Sequence, residues 1–266
     1  MGLIVAVALV VLAGVAATRF IIADPNLSLL TAYLAVWLPL LGAVFTAVYV
    51  HGSRSLRRDI GLAFHPLDLL WGLAAGLLAR ALAGIIEIAV YGQMATGAVT
   101  LGVPVHDLWW LFAALLAPVI LAPVVEELFF RGVLLRSISG VTALSGGSPR
   151  LAMALAILGS ATVFALLHVI TVQTTDAALV AGVSTFVFGV AAASVAVATG
   201  RLGGPIVAHI AFNGLVVVPG LLERRGRSHR GFYARAWARA LEACGETPRF
   251  GVDGMLPNRK ISRHGR

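Results

Sequence analysis

The chain has 266 residues, of which 59% are hydrophobic and only 12% charged, with a mean hydropathy of +0.93. A soluble domain carries about 25% charged residues, so this composition excludes an ordinary water-soluble fold. The net charge is +8 and the pI about 10.9. The basic residues lie in loops and in the C-terminal tail, so anionic lipid headgroups are the expected partner and nucleic acid is not. Cys244 is the only cysteine, which leaves no internal disulfide and no thiolate metal cage.

A helix needs about 20 mostly apolar residues to cross the hydrocarbon layer. Long runs rich in Ala, Leu and Val, without period-2 alternation, point to helices rather than barrel strands. The first run, residues 2–22, lacks a basic leader and reads as a retained span. The second covers 27–50, and a loop with Arg54, Arg57 and Arg58 follows. A third, 67–91, carries Arg80 and Glu87 in its interior. The fourth begins near Asp107 and extends to about Ser139, with kinks expected at Pro118 and Pro123. After the Ser145–Pro149 turn come spans at 151–172, 177–199 and 202–222. Residues 223–266 form a basic tail, in which Phe232–Ala243 reads as a short amphipathic helix on the membrane surface. Trp37, Trp71, Trp109 and Trp110 suit interfaces or packing. The predicted fold is an all-α polytopic membrane bundle of about seven to eight transmembrane helices. An N-terminus inside places Arg54, Arg57, Arg58, Arg136, Arg150 and Arg201 on the cytoplasmic side, although seven spans would then leave the arginine-rich tail outside.

Ionisable residues inside a span cost about 2.5–3.5 kcal/mol each on the insertion scale and usually mark function. The densest group is Glu126-Glu127-Leu128-Phe129-Phe130-Arg131. Glu127 and Arg131 are i,i+4 and share a helix face, so they can pair. Glu126 points about 100° away and has no partner in its own segment. A carboxylate left alone in an apolar bundle is what a general base working near neutrality calls for. A pair of glutamates at the headgroup level of a surface helix is the plainer alternative. His168 lies near the end of the fifth span, one turn after Phe164. In the last span, His209 and Asn213 are i,i+4 and project together, as a helix–helix contact or as part of a site. Arg80 and Glu87 are two turns apart; they either satisfy each other or line the route by which a substrate enters.

Taken in order on three spans, EExxxR, FxxxH and HxxxN resemble the CAAX-protease and bacteriocin-processing family of intramembrane endopeptidases. The resemblance runs from about Leu108 to Leu222 and all three motifs match. It implies a helical bundle whose motif helices surround a buried, water-accessible chamber. It divides the chain into N-terminal transmembrane helices and loops (1–106), a catalytic transmembrane core (107–222) and the basic tail (223–266). It implies that Glu126 activates the attacking water, that His168 orients it, and that His209 and Asn213 donate to the oxyanion. Glu127 and Arg131 would hold the helix in place and Phe164 would wall the site.

The family has also been labelled as metalloproteases, and Glu126, His168 and His209 offer a three-ligand set for zinc or another divalent metal. No HExxH is present, and a metal-free water better accounts for Asn213, so no cofactor is the preferred reading. The expected partners are the lipid bilayer and a peptide or lipidated-protein substrate of CAAX or leader-peptide type, and the expected location is the cell membrane. Two other classes compete. A catalytically silent immunity or scaffold protein has no reason to keep an unpaired buried glutamate. A transporter predicts inverted repeats with broken helices, and none is evident.

Overall fold

In the computed structural model of the protein, residues 25–94, 108–170, 172 and 174–218 are described. The span expected at 2–22, the loop around His106 and Asp107, and the basic tail with its surface helix lie outside these residues. The described residues contain seven helices. Helix α1 (Pro25–Phe45) continues into a π-helical turn, Thr46–Val50. Short α2 (Leu56–Asp59) starts at Ser55, whose hydroxyl accepts from the Arg58 amide. Helix α3 (Leu67–Tyr91) ends at Gly92, in the left-handed conformation that glycine adopts without steric cost. Helix α4 is the continuous run Leu108–Leu144. Helix α5 (Pro149–Val169) opens with Ser148 as N-cap and a proline in the first turn, α6 (Thr175–Thr199) opens on Thr174, and α7 covers Gly203–Val218. Five of the helical runs are long and apolar enough to cross a membrane, and α7 is a shorter apolar helix. The described residues thus form an all-α integral membrane bundle.

Small residues decide how closely these helices approach. Gly72 and Gly76 are spaced as GxxxG on α3, and a Cβ on Gly76 would lie 2.5 Å from the Ala208 carbonyl oxygen of α7. Ala79 and Ala83 continue the same buried stripe, while Leu70, Leu77, Leu78 and Ile85 cover the outward face. Lipid tails are as apolar as leucine, so close backbone packing rather than the hydrophobic effect holds such helices together. One end of the bundle is pinned by polar contacts. The amides of Leu202 and Gly203 donate to the carbonyls of Gly61 and Ala63, and Arg201 forms a two-pronged pair with buried Asp68 at 2.7 and 3.1 Å. This fixes the start of α7, and with it His209, against the start of α3.

Helix α4 extends past the expected end at Ser139 to Leu144, and the run stays helical through both prolines. Phe112–Leu121 and Leu128–Leu134 are π-helical, separated by one α-helical stretch, Ala122–Glu127. The wider i→i−5 register absorbs residues that an α-helix would reject, and it recurs at functional sites. The two glutamates sit in the α-helical stretch at the midpoint of α4. Gly203, Gly204 and Pro205 form the first turn of α7, where the N–H that proline lacks would have no intrahelical acceptor.

Candidate active site

Glu126 and Glu127 are consecutive on α4, so their side chains leave the helix about 100° apart and meet different neighbours. Glu127 is fully buried, and its Oε1 accepts from Arg131 Nη1 at 2.8 Å. That is the i,i+4 pair expected from the spacing. The same oxygen also lies 2.8 Å from His209 Nδ1 on α7. A carboxylate already paired with an arginine is an acceptor, so Nδ1 carries the hydrogen and His209 turns Nε2 toward Glu126.

Arg131 is enclosed on every side. Nη2 donates to the Gly189 carbonyl of α6 at 3.2 Å, and the guanidinium lies 4.7 Å from the Phe164 ring centre and 5.6 Å from that of Phe188. Guanidinium over aromatic faces is favourable, the more so when desolvated. Gly189 packs against the backbone of Ala161, where a Cβ would lie 3.0 Å from the Ala161 Cα, so α5 and α6 close around the arginine together.

Glu126 faces the other way, with its side chain 12% exposed. Its Oε2 lies 3.8 Å from His209 Nε2 and 4.0 Å from His168 Nε2. His168 is aimed by its own helix, because Nδ1 donates to the Phe164 carbonyl at 2.8 Å and leaves Nε2 directed at Glu126. Phe164 stands between the two imidazoles, its ring centre 4.4 Å from that of His168 and 5.6 Å from that of His209. The structure therefore brings Glu126, His168 and His209 together from three helices, with Glu127, Arg131 and Phe164 supporting them. The spacings from Glu126 are too long for direct hydrogen bonds and match a single bridging water at about 2.8 Å from each partner.

The donor set does not fit a metal as it stands. Two ligands held at about 2.0–2.2 Å with tetrahedral angles lie about 3.4 Å apart, closer than the distances here. Among the described residues, no group of three or more His, Cys, Asp or Glu side chains forms a metal-ligand cluster.

Asn213 lies one turn beyond His209, and its amide donates to the Pro118 carbonyl of α4 at 2.8 Å. Arg80 and Glu87 pair with each other on α3 through two parallel hydrogen bonds of 2.9 Å, both side chains buried. Gly84, between them in the chain, leaves room for the Met94 side chain, which a Cβ there would meet at 2.8 Å.

The Glu127–His209 bond and the Asn213–Pro118 bond went unread in the sequence. The first leaves no local trace. The second does leave one: Pro118 and Pro123, five apart inside a span, imply backbone carbonyls that must find donors elsewhere.

Residues 108–215 match the family model described as Rce1-like, type II CAAX prenyl endopeptidase. The matched segment holds all three motifs and every residue of the cluster around Glu126. No curated protein and no solved structure matches the chain.

Proposed function

With the Rce1-like match of its motif-bearing helices as the premise, we propose that the protein is an intramembrane endopeptidase. It hydrolyses peptide bonds of membrane-associated proteins or peptides, of CAAX or leader-peptide type, with a water activated by Glu126. The observation that carries this reading is the convergence of Glu126 Oε2 with two imidazole Nε2 atoms at 3.8 and 4.0 Å inside the bundle.

Water held between Glu126 and His168 gives a proton to Glu126 as its oxygen bonds to the peptide carbonyl carbon. The carbonyl electron pair moves onto oxygen, where His209 and Asn213 donate. Collapse breaks the C–N bond, and Glu126 passes its proton to the departing nitrogen, leaving a carboxyl and an amine. His209 donates from Nε2 when its ring holds both protons. In that form Glu126, Glu127, Arg131 and His209 together carry no net charge, the balance an apolar interior favours. The membrane in which it works is the cell membrane, crossed several times.

The test is cleavage of a farnesylated CAAX peptide and of its unprenylated form by the protein in lipid nanodiscs, with wild type and Glu126→Gln. The variant keeps size and hydrogen bonding but removes the base, so turnover falls by about 10³-fold or more while the melting curve is retained. A loss of only about two- or threefold would remove Glu126 from the role of base. Comparing protein termini in cells carrying either form identifies the substrate.

A further inference from the structure

Helix α4 carries Pro118 inside its π-helical run Phe112–Leu121 and Pro123 just past the end of that run, and each withholds an amide from one carbonyl. In i→i−5 register, Pro118 leaves the Ala113 carbonyl without a donor and Pro123 does the same to the Pro118 carbonyl. The preceding amide, that of Ala122, still follows the i→i−5 register and donates to Ala117, so it does not serve the Pro118 carbonyl. Both open carbonyls are met from other helices. Tyr33 of α1 donates to Ala113 at 3.2 Å, and Asn213 of α7 donates to Pro118 at 2.8 Å. A carbonyl left bare in an apolar bundle costs several kcal/mol, so each gap is a specific demand for one donor.

We propose that Pro123 is a positioning residue that acts through Asn213. By keeping the Pro118 carbonyl open, it anchors one hydrogen of the Asn213 amide. A carboxamide is planar, so fixing one N–H fixes the direction of the other. Asn213 is i,i+4 from His209 on α7, so the anchored amide holds its second hydrogen in one fixed direction on the helix face that carries His209. The proline thus sets the geometry of an oxyanion donor on a different helix, a role that rests on the reading of Asn213 given above.

Pro123→Ala supplies the missing amide, which competes with Asn213 for the Pro118 carbonyl. The experiment is a double-mutant cycle of Pro123→Ala and Asn213→Ala, read both by thermal unfolding in nanodiscs and by turnover of the farnesylated peptide. With Pro123 in place, Asn213→Ala strands a carbonyl and lowers Tm; in the Pro123→Ala background the drop is much smaller. Pro118→Ala, which instead relieves the carbonyl served by Tyr33, leaves the cost of Asn213→Ala unchanged. In turnover, Pro123→Ala lowers kcat by about tenfold with KM unchanged, Asn213→Ala by about 10²-fold, and the double variant no further than Asn213→Ala.

Additive Tm changes overturn the inference whether or not the peptide is cleaved, since the unfolding arm does not depend on activity. If Tm is coupled but Pro123→Ala turns over like wild type, the carbonyl bridge stands as packing and the positioning role is lost. Failure of Glu126→Gln to abolish cleavage instead removes the hydrolase reading, and leaves the unfolding cycle to decide the bridge.

Discussion

Two buried ion pairs, each within a single helix, serve different ends. Arg80 and Glu87 lie two turns apart on α3 and use both carboxylate oxygens on one guanidinium. Glu127 and Arg131 lie one turn apart on α4 and share a single oxygen, which also meets His209 of α7, while the guanidinium reaches α6. The first is a strap along one helix. The second is a junction of three, and one of its contacts is His209 of the candidate active site. Burial and pairing alone therefore do not mark function; what distinguishes the pairs is how many helices each one commits.

Glutamine substitutions separate them most sharply. Glu127→Gln and Glu87→Gln each leave a buried arginine without its counter-charge, at a cost of about 3–5 kcal/mol. Both therefore melt lower in detergent. Only Glu127→Gln also lowers the kcat of the folded fraction, because His209 loses the acceptor that orients its ring. Equal kcat losses in the two variants would erase the distinction, and unchanged melting of Glu127→Gln would count against the junction itself.

A pH series sharpens the same comparison with a smaller effect. The base must be ionised to accept a proton from water, so wild-type activity rises with pH through one ionisation. Glu87→Gln keeps that profile, while Glu127→Gln, which alters the charge beside Glu126, shifts its midpoint. A chelator leaves the wild-type curve in place. If chelation abolished activity and added zinc restored it, Glu126 and the histidines would have to be recast as ligands.

The smallest effect lies outside the membrane. Hydrogen bonds from the Ser53 hydroxyl, and from the amides of Ser55 and Ser53, hold the Asp59 carboxyl below its usual range. A lowered value in the fold contributes stability above the unfolded-state pKa of about 3.9, which is lost as pH falls through the folded value. Asp59→Asn therefore lowers Tm slightly at neutral pH, and the two proteins converge in acid. A difference that persisted at low pH would assign the loop's order to packing instead.

The membrane bundle was legible in composition and in the lengths of the apolar runs, because hydrocarbon admits only elements that satisfy their own backbone. So was the Glu127–Arg131 pair, since a separation of four residues places two side chains on one face whatever lies around the helix. The motif residues Glu126, His168 and His209 could be named from their rarity in apolar spans. Arg80 and Glu87 were named on the same ground, and only the fold showed them satisfying each other. Contacts between helices were not legible. That His209 bonds Glu127 as well as facing Glu126 depends on how closely α3 and α7 pack through Gly72 and Gly76, and on where Asp68 and Arg201 pin the start of α7. The same holds for Asn213, whose spacing from His209 gave its face but not its partner. Its partner is the Pro118 carbonyl on another helix, where Pro123 supplies no amide to meet it. Spacing along one helix is a local property of the covalent chain, whereas the meeting of two helices is set by packing summed over their whole length.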